Sequence, residues 1–154
     1  MVTRKRTSAD EAAQLAARLA HRHPSIPIAI AHLAITQLEG MRTGRRQPPS
    51  LLAGKRVLAA AGVADPASFA VQIRASRATV QLVAYQDHHA FGAADVQRLV
   101  QASGGVDYVV VTEKDAVKLR PQWPAEAPEP LVAVLTVTFE SNEGAVTRLL
   151  SRIP

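Results

Sequence analysis

The chain of 154 residues contains no cysteine and no long uninterrupted apolar run. Without cysteine it forms no disulfide bond and offers no thiolate ligand to a metal ion, a composition typical of a reducing cytosolic setting. A transmembrane helix needs about 20 consecutive apolar residues, so the sequence predicts none. The basic start of the chain is not followed by the apolar segment of a signal peptide. A length of 154 residues favours one globular domain, or one domain with a fragment of another.

The sequence also lacks the motifs of the commonest nucleotide and acyl-transfer sites. No Gly-x-x-x-x-Gly-Lys-Ser/Thr pattern occurs, and residues 40–44 have neither its spacing nor its terminal Lys-Ser/Thr pair. No arrangement of a nucleophilic serine is evident. The chain by itself therefore cannot hold a nucleotide in the manner of a P-loop.

The net charge of +5 is unevenly distributed. Residues 1–60 carry ten Lys and Arg against three Asp and Glu, whereas residues 61–154 carry eight against ten. A basic segment of this kind can contact nucleic acid, anionic lipid or a phosphorylated substrate, or can be a solvated face. Arg42, Arg45 and Arg46 are typical of a solvated turn, and a patch facing membrane headgroups is the alternative.

The first third of the chain predicts one helix, one strand and a linker. Ser8 followed by Glu11 is a capping-box pattern, and apolar residues recur at helical spacing behind it, which predicts a helix over 9–21. An apolar run rich in β-branched residues predicts a strand over 28–35. The basic, turn-rich stretch over 39–50 is typical of a linker or hairpin arm, and we place a domain boundary there.

From residue 54 onward strands alternate with helices. Strands are predicted over 56–61, 79–85, 106–111 and 131–139, and helices over 66–76, 93–102 and 143–151, with a short helix after Thr112. This alternation predicts an α/β fold, a three-layer α/β/α arrangement with a mainly parallel sheet. Such sheets bind ligands beyond the carboxyl ends of their strands. The Gly62 turn, the Asp87 cluster and the Thr112 cluster all follow strands, so we expect them at one edge.

Asp87-His88-His89 is the first candidate for chemistry. Adjacent side chains of an extended segment point to opposite sides, which argues against one metal ion bound by both histidines. A neutral imidazole oriented by the carboxylate is the better chemical interpretation. The structural alternative is a turn capped by Asp87 with two surface histidines.

Thr112-Glu113-Lys114-Asp115 is the second candidate, where a helix begins. Backbone N–H groups there can hold an anion, and Lys114 can reach a phosphate. The alternative is ordinary helix chemistry, with Thr112 as N-cap and acidic residues in the first turn. Gly62 and the Asp65-Pro66 pair are more typical of structural positions.

Three segments give the chain a family resemblance. Residues 52–69, the Asp87-His88-His89 cluster and residues 111–119 resemble, in order and spacing, the C-terminal part of the tetraacyldisaccharide 4'-kinase (lipid A kinase) family. Residues 2–5 and the helix after them resemble the end of that family's first domain. The resemblance covers nearly the whole chain, but only about the second half of a full family member. Gln86 and Ala90 stand where the family usually has proline.

The resemblance implies a function and an architecture. It implies ATP- and magnesium-dependent phosphorylation of the 4'-hydroxyl of a lipid A precursor disaccharide at the cytoplasmic face of the inner membrane. Residues 1–27 would be the tail of a P-loop domain, 28–54 a β-hairpin-like linker and 55–154 the C-terminal α/β/α domain. His88 would activate the attacking hydroxyl with an aspartate of the P-loop domain, oriented by Asp87, and His89 is the less firm choice.

The same resemblance implies partners and a limit. Thr112, Glu113, Lys114 and Asp115 would line the interdomain edge near the nucleotide. The expected partners are the P-loop domain of the same kinase, the disaccharide and, through the arginines of the turn, the membrane surface, with no nucleic acid. The P-loop lysine and magnesium ligands are absent, so we expect no metal site, no bound cofactor and no activity from this chain alone. The alternative is a non-catalytic module that binds nucleic acid or anionic lipid through its basic first part.

Overall fold

The computed structural model describes residues 2–4 and 8–151, along which strands and helices alternate. The strands are β1 (Val2–Arg4), β2 (Ile30–Gly40), β3 (Arg46–Gln47), β4 (Arg56–Ala61), β5 (Thr79–Ala84), β6 (Tyr108–Thr112) and β7 (Leu131–Ser141). The α-helices are α1 (Ala9–Arg22), α2 (Pro66–Ala75), α3 (Ala93–Ser103), α4 (Glu113–Leu119) and α5 (Glu143–Leu150). A 3-10 helix covers Pro49–Leu52. The predicted order of elements from residue 56 onward is confirmed.

The contacts of the chain divide it into two units. One holds the described residues up to Ala34 and those from Thr136 onward, and the other holds Ile35–Leu135. Strands β2 and β7 each contribute residues to both units. The predicted domains 1–27, 28–54 and 55–154 refer to a longer protein and stay a prediction, and Lys5 of the segment 2–5 lies outside the described residues.

The Ile35–Leu135 unit has the predicted three layers. Its strands follow the order β2-β7-β6-β4-β5, and β4, β5, β6 and β7 are paired in parallel. Alternate residues of β4 point to opposite faces of the sheet. Leu58 and Ala60 pack with α3 and α4, whereas Val57 and Ala59 pack with α2. The mainly parallel α/β/α sheet is therefore confirmed.

The buried sequence of β4 explains its central place. Every residue from Val57 to Ala61 is buried, as expected for a strand covered on both faces. Its small alanines let the helices approach the sheet closely, and each fully buried valine or leucine stabilises the fold by about 1.5–3 kcal/mol. The burial of this run positions the turn that follows it, beginning with Gly62.

Several element boundaries differ from the sequence prediction, most of all those of β2 and β6. β2 begins at Ile30 and continues to Gly40, well past the predicted end at residue 35, because its pairing with β3 extends it. The antiparallel pairing of β2 with β3 makes residues 39–47 a hairpin. β6 begins at Tyr108 rather than at residue 106. Just before it, Asp107 N–H donates to the Arg56 carbonyl at 2.8 Å, and the Asp107 carboxylate accepts the Arg56 N–H at 2.7 Å.

The other unit contains the predicted N-terminal helix. The capping box is present, since Glu11 N–H donates to Ser8 Oγ at 3.2 Å and Ser8 N–H donates to Glu11 Oε2 at 3.0 Å. β1 pairs in parallel with the start of β2. Asn142 donates from its side chain to the Ile28 carbonyl at 2.9 Å. Among the described residues no helix is both long and apolar enough to cross a membrane.

Candidate functional site

The loops after β4 and β5 and the helix α4 directly after β6 are joined by hydrogen bonds at the carboxyl edge of the sheet. Tyr85 N–H donates to the Ala61 carbonyl at 2.9 Å, and His88 N–H donates to the Gly62 carbonyl at 3.2 Å. Gly62 N–H donates in turn to Asp115 Oδ2 at 2.9 Å. The predicted convergence of the three loops is confirmed. Because two of these bonds join backbone to backbone and the third joins a backbone N–H to a side chain of α4, they set the positions of the loops themselves.

Asp115 is the buried centre of this edge. Its side chain is fully inaccessible to solvent. Oδ2 accepts hydrogen bonds from Gly62 N–H and, at 2.6 Å, from the Thr112 hydroxyl, while Thr112 Oγ accepts from Asp115 N–H at 3.2 Å. Thr112 is thus the N-cap of α4, as one of the two sequence interpretations had it. The carboxylate and the hydroxyl are both engaged inside the protein.

Gly62 allows the loops to approach each other closely. A methyl group on its Cα would lie 3.1 Å from Asp115 Oδ1, 3.3 Å from His89 Cβ and 3.4 Å from the Gln86 carbonyl. The first two distances are shorter than ordinary van der Waals contact, and the third is at its lower limit. A side chain at this position would push apart the loops that glycine brings together, and the structural interpretation of Gly62 fits this geometry.

His88 is held at the surface of the same edge. Its side chain is 83% exposed, and its backbone has a φ of 61° in the left-handed region. Asp87 Oδ1 accepts the backbone N–H of His88 at 3.0 Å, while Asp87 Oδ2 lies 3.9 Å from His88 Nε2. Asp87 therefore caps the backbone of His88 directly and stands near its ring. The imidazole is therefore open to solvent at this edge.

His89, by contrast, is part of the packed interior of the loop. Its side chain is 29% exposed, and Nε2 lies 2.9 Å from Asp95 Oδ2. The ring stacks on Tyr85 with centroids 4.6 Å apart and meets Phe91 edge-on at 5.0 Å. The Gly92 N–H first, and then the His89 ring, hold the pKa of the Asp95 carboxyl below its usual value. His89 is thus occupied by contacts that fold the loop.

Glu113 and Lys114 differ from their two neighbours in the motif because both are exposed. Glu113 lines a groove of about 420 Å³ together with Arg42 and Arg120, with Val132 also among the lining residues. Glu113 Oε2 also lies 3.5 Å from Leu135 N. The structure therefore separates the motif into an engaged pair, Thr112 and Asp115, and an accessible pair.

Acidic and histidine side chains do not gather into a metal site in the described part of the chain. No group of three or more His, Asp or Glu residues there has the arrangement to hold an ion. His88 and His89 do not share a metal site either, because the His88 ring is open to solvent and the His89 ring is held by Asp95.

The turn of the β2–β3 hairpin, residues 41–45, is tied to the segment 124–130. Glu129 accepts hydrogen bonds from the N–H groups of Arg42 and Thr43 and from the Thr43 hydroxyl. The Arg42 guanidinium donates to the Ala125 carbonyl at 2.8 Å and to the Pro124 carbonyl at 3.3 Å. Arg46 lies 3.4 Å from a carboxylate oxygen of Glu39. Two of the three arginines of the predicted membrane patch thus have partners within the protein.

The ionisation of Glu129 should make the stability of this turn depend on pH. Burial raises the pKa of Glu129, but the N–H groups of Thr43 and Arg42, the Thr43 hydroxyl and the Arg42 charge together lower it below its usual value. A carboxyl with a lowered folded-state pKa contributes stability above its unfolded pKa, and this contribution is lost as the pH falls through the folded-state value. Glu129→Gln should remove that contribution.

We therefore expect the chain to lose more stability than its Glu129→Gln variant between about pH 7 and about pH 3.5. Urea unfolding of both proteins at the two pH values measures the difference. The matched control is Glu126→Gln, which removes an exposed carboxylate of the same segment, and it should lose as much stability as the unaltered chain between the two pH values. An equal loss in the Glu129→Gln variant would contradict the assigned role of the carboxylate.

A family model described as tetraacyldisaccharide-1-P 4'-kinase matches residues 1–154. The chain belongs to this family. The resemblance inferred from the motifs is confirmed, and with it the assignment to a family of kinases.

Curated relatives with the name tetraacyldisaccharide 4'-kinase match part of the chain. The protein of Geobacter metallireducens is 37% identical over 102 residues, 64% of this chain and 30% of the relative. That of Xanthomonas euvesicatoria is 44% identical over 89 residues, 58% and 24% respectively. That of Anaeromyxobacter dehalogenans is 41% identical over 97 residues, 61% and 25%. The matches thus span less than a third of each relative's length. No solved structure matches the chain.

Sequence reasoning assigned no role to two residues that contact the loop after β5. Lys118 Nζ donates to the His89 carbonyl at 3.0 Å, and the Gln122 side chain donates to the Phe91 carbonyl at 2.9 Å. The spacing of Asp115 and Lys118, three residues apart on one helix, is the signal that could have suggested a shared face. The carbonyl partners lie about 30 residues away in sequence, where no local pattern indicates them.

Proposed function

We propose that this chain is the C-terminal part of an ATP-dependent kinase that phosphorylates the 4'-hydroxyl of tetraacyldisaccharide 1-phosphate, a precursor of lipid A. Its contribution is one face of an active site, completed by a P-loop domain in the longer kinase. The observation that carries the proposal is the exposed imidazole of His88, held at the edge where three strand-end loops meet. Membership of the family supplies the reaction class.

In this proposal His88 accepts the proton of the attacking hydroxyl. Phosphoryl transfer depends mainly on positioning the reactants and on stabilising charge, and a base within hydrogen-bond reach orients the hydroxyl. Asp87 fits a supporting role, because it accepts the His88 N–H and lies near the ring. An aspartate of the P-loop domain would pair with the imidazole. His89 is the poorer choice, because Asp95 already engages its Nε2.

The four residues from Thr112 to Asp115 would have two different roles. Lys114 is exposed and carries the positive charge that a nucleotide phosphate attracts, and Glu113 is exposed beside the groove. Thr112 and Asp115 would serve the nucleotide only indirectly, since both bond within the protein. We propose that this accessible pair lies near the nucleotide in the assembled kinase.

Magnesium and most of the nucleotide site belong, in this proposal, to the P-loop domain. The residues of this chain do not fit a complete site, because no P-loop sequence occurs among them. Bound magnesium would neutralise charge on the transferred phosphoryl group. We therefore assign no metal ligand here and propose that the chain is inactive alone.

Membrane contact is the more limited part of the proposal. A kinase acting on a lipid works at a membrane surface, and the cytoplasmic face of the inner membrane is the expected place. Arg45 is exposed at the hairpin turn, whereas Arg42 donates to backbone carbonyls and Arg46 lies beside Glu39. Contact with anionic headgroups would therefore fall first on Arg45.

The proposal is tested by reconstituting the kinase from two parts. The chain is mixed with the separately expressed N-terminal part of a curated relative, and ATP-dependent phosphorylation of tetraacyldisaccharide 1-phosphate is measured. We expect activity from the mixture and none from either part. A folded, associated pair that remains silent would contradict the proposal.

The rival function, a binding module for nucleic acid or anionic lipid, makes a different prediction. Binding through the basic segment would weaken steeply with added salt and would ignore ATP. DNA and anionic vesicles titrated at low and high salt therefore separate the two functions.

A further inference from the structure

Helix α4 and the residues after it donate hydrogen bonds to the loop that carries His88. Lys118 Nζ donates to the His89 carbonyl at 3.0 Å. Gln122 donates to the Phe91 carbonyl at 2.9 Å, at the far end of the same loop. The loop between β5 and α3 is therefore bonded at two points beyond His88, once to α4 and once to the turn after it.

A second connection reaches His88 from the other side. Asp115 Oδ2 accepts Gly62 N–H, and the Gly62 carbonyl accepts His88 N–H. Asp115 is fully buried, and its second oxygen, Oδ1, has no hydrogen-bond partner among the described residues. That oxygen lies 3.9 Å from Lys118 Nζ. One ammonium group thus serves both the buried carboxylate and the loop carbonyl.

The backbone of His88 needs such support. Its φ of 61° lies in a region that non-glycine residues occupy rarely. A residue in that conformation persists where its surroundings hold it there. Two residues of α4 provide this support. Lys118 donates to the carbonyl of the next residue, and Asp115 holds Gly62, whose carbonyl accepts His88 N–H.

We infer that Lys118 and Asp115 are positioning residues of the kinase, which hold the His88 loop in its left-handed geometry at the sheet edge. The inference rests on the proposed function for the importance of His88, but the hydrogen bonds of Lys118 and Asp115 are a property of this chain. Lys118 acts at a backbone carbonyl and does not need to reach the substrate.

Lys118→Met is the decisive variant. Methionine keeps an unbranched apolar stem of similar length and removes the ammonium group that donates to the His89 carbonyl. The Lys118 side chain is 33% exposed, so the substitution leaves the core intact. Lys118→Arg is the rescue variant, because a guanidinium group can donate to the same carbonyl. Lys55→Met, an exposed lysine before β4, is the matched control.

The first readout is amide hydrogen exchange measured by NMR on the chain alone. We expect the His88 and His89 amides to exchange at least about tenfold faster in Lys118→Met, since a hydrogen bond from a charged donor is lost. Amides of Leu58 and Val110, in the buried strands, should keep their rates. Lys118→Arg should restore most of the protection, and Lys55→Met should change nothing.

The second readout is turnover by the reconstituted kinase. We expect Lys118→Met to lower kcat about tenfold with the KM for ATP unchanged, because a displaced base affects the chemical step. Unchanged amide exchange would overturn the inference whatever the activity. Faster exchange with unchanged kcat would overturn the catalytic importance of the Lys118 hydrogen bond. A substitution at His88 in the same assay reports separately on the proposed function.

Discussion

The His88→Asn variant should lose about 10²–10⁴-fold in kcat in the reconstituted kinase, the usual contribution of a general base. Asparagine is the informative substitution, because it removes the imidazole and adopts left-handed backbone conformations more readily than most residues. The side chain of His88 is exposed, so its loss removes little packing. We therefore expect the fold, measured by urea unfolding, to change little while activity falls.

The His89→Gln variant tests whether the effect is specific to His88. The ring of His89 stacks on Tyr85 and its Nε2 meets Asp95, so its loss should cost stability, about 1–2 kcal/mol. We expect a smaller fall in kcat than for His88→Asn. Comparable kcat for His88→Asn and the unaltered chain would remove His88 from the mechanism. A larger fall for His89→Gln in folded protein would exchange the two assignments.

The Asp115→Ala variant should lose about 3 kcal/mol of folding stability, because it leaves the buried Gly62 N–H and Thr112 hydroxyl without an acceptor. Each orphaned buried donor costs about 1–3 kcal/mol. Asp115→Asn keeps one acceptor oxygen for both donors and should lose less, about 1 kcal/mol. Urea unfolding near neutral pH measures all three proteins.

Glu113→Ala is the matched control for Asp115→Ala. Both are acidic residues of the first turn of α4, but Glu113 is exposed and Asp115 is buried. We expect Glu113→Ala to change stability by no more than about 0.5 kcal/mol. Equal effects of the two alanine variants would show that the acidic charge at the helix start matters, and the buried network does not.

Local chemistry made much of the fold predictable. The capping box of Ser8 and Glu11 and the Asp65-Pro66 start of α2 act within a few residues, and both are present where predicted. The apolar run of β4 predicted a strand, and the structure buries it as expected for a strand covered on both faces. The end of β2 was predicted wrongly, because its pairing with β3 depends on a partner strand that residues 28–35 do not reveal.

The sequence predicted where the candidate site lies better than it predicted the role of each residue there. The order of strands and helices brought residues near Gly62, Asp87 and Thr112 to one edge, since parallel strands end on the same side. The residues alone did not separate the two adjacent histidines, and only the family resemblance favoured His88. The left-handed backbone at His88 and the aromatic pair beside His89 separate them, and both are properties of the folded loop.

The sequence by itself determined the α/β class, the helix starts and the family, because alternating apolar periods, caps and ordered motifs are local or linear features. Only the tertiary structure decided which charged groups are engaged. Asp115 reads as an ordinary first-turn acid, yet it is buried against Gly62, and Arg42 reads as solvated, yet it donates to carbonyls more than 80 residues away. Such partners meet only when distant segments pack, so the sequence pattern carries no sign of them.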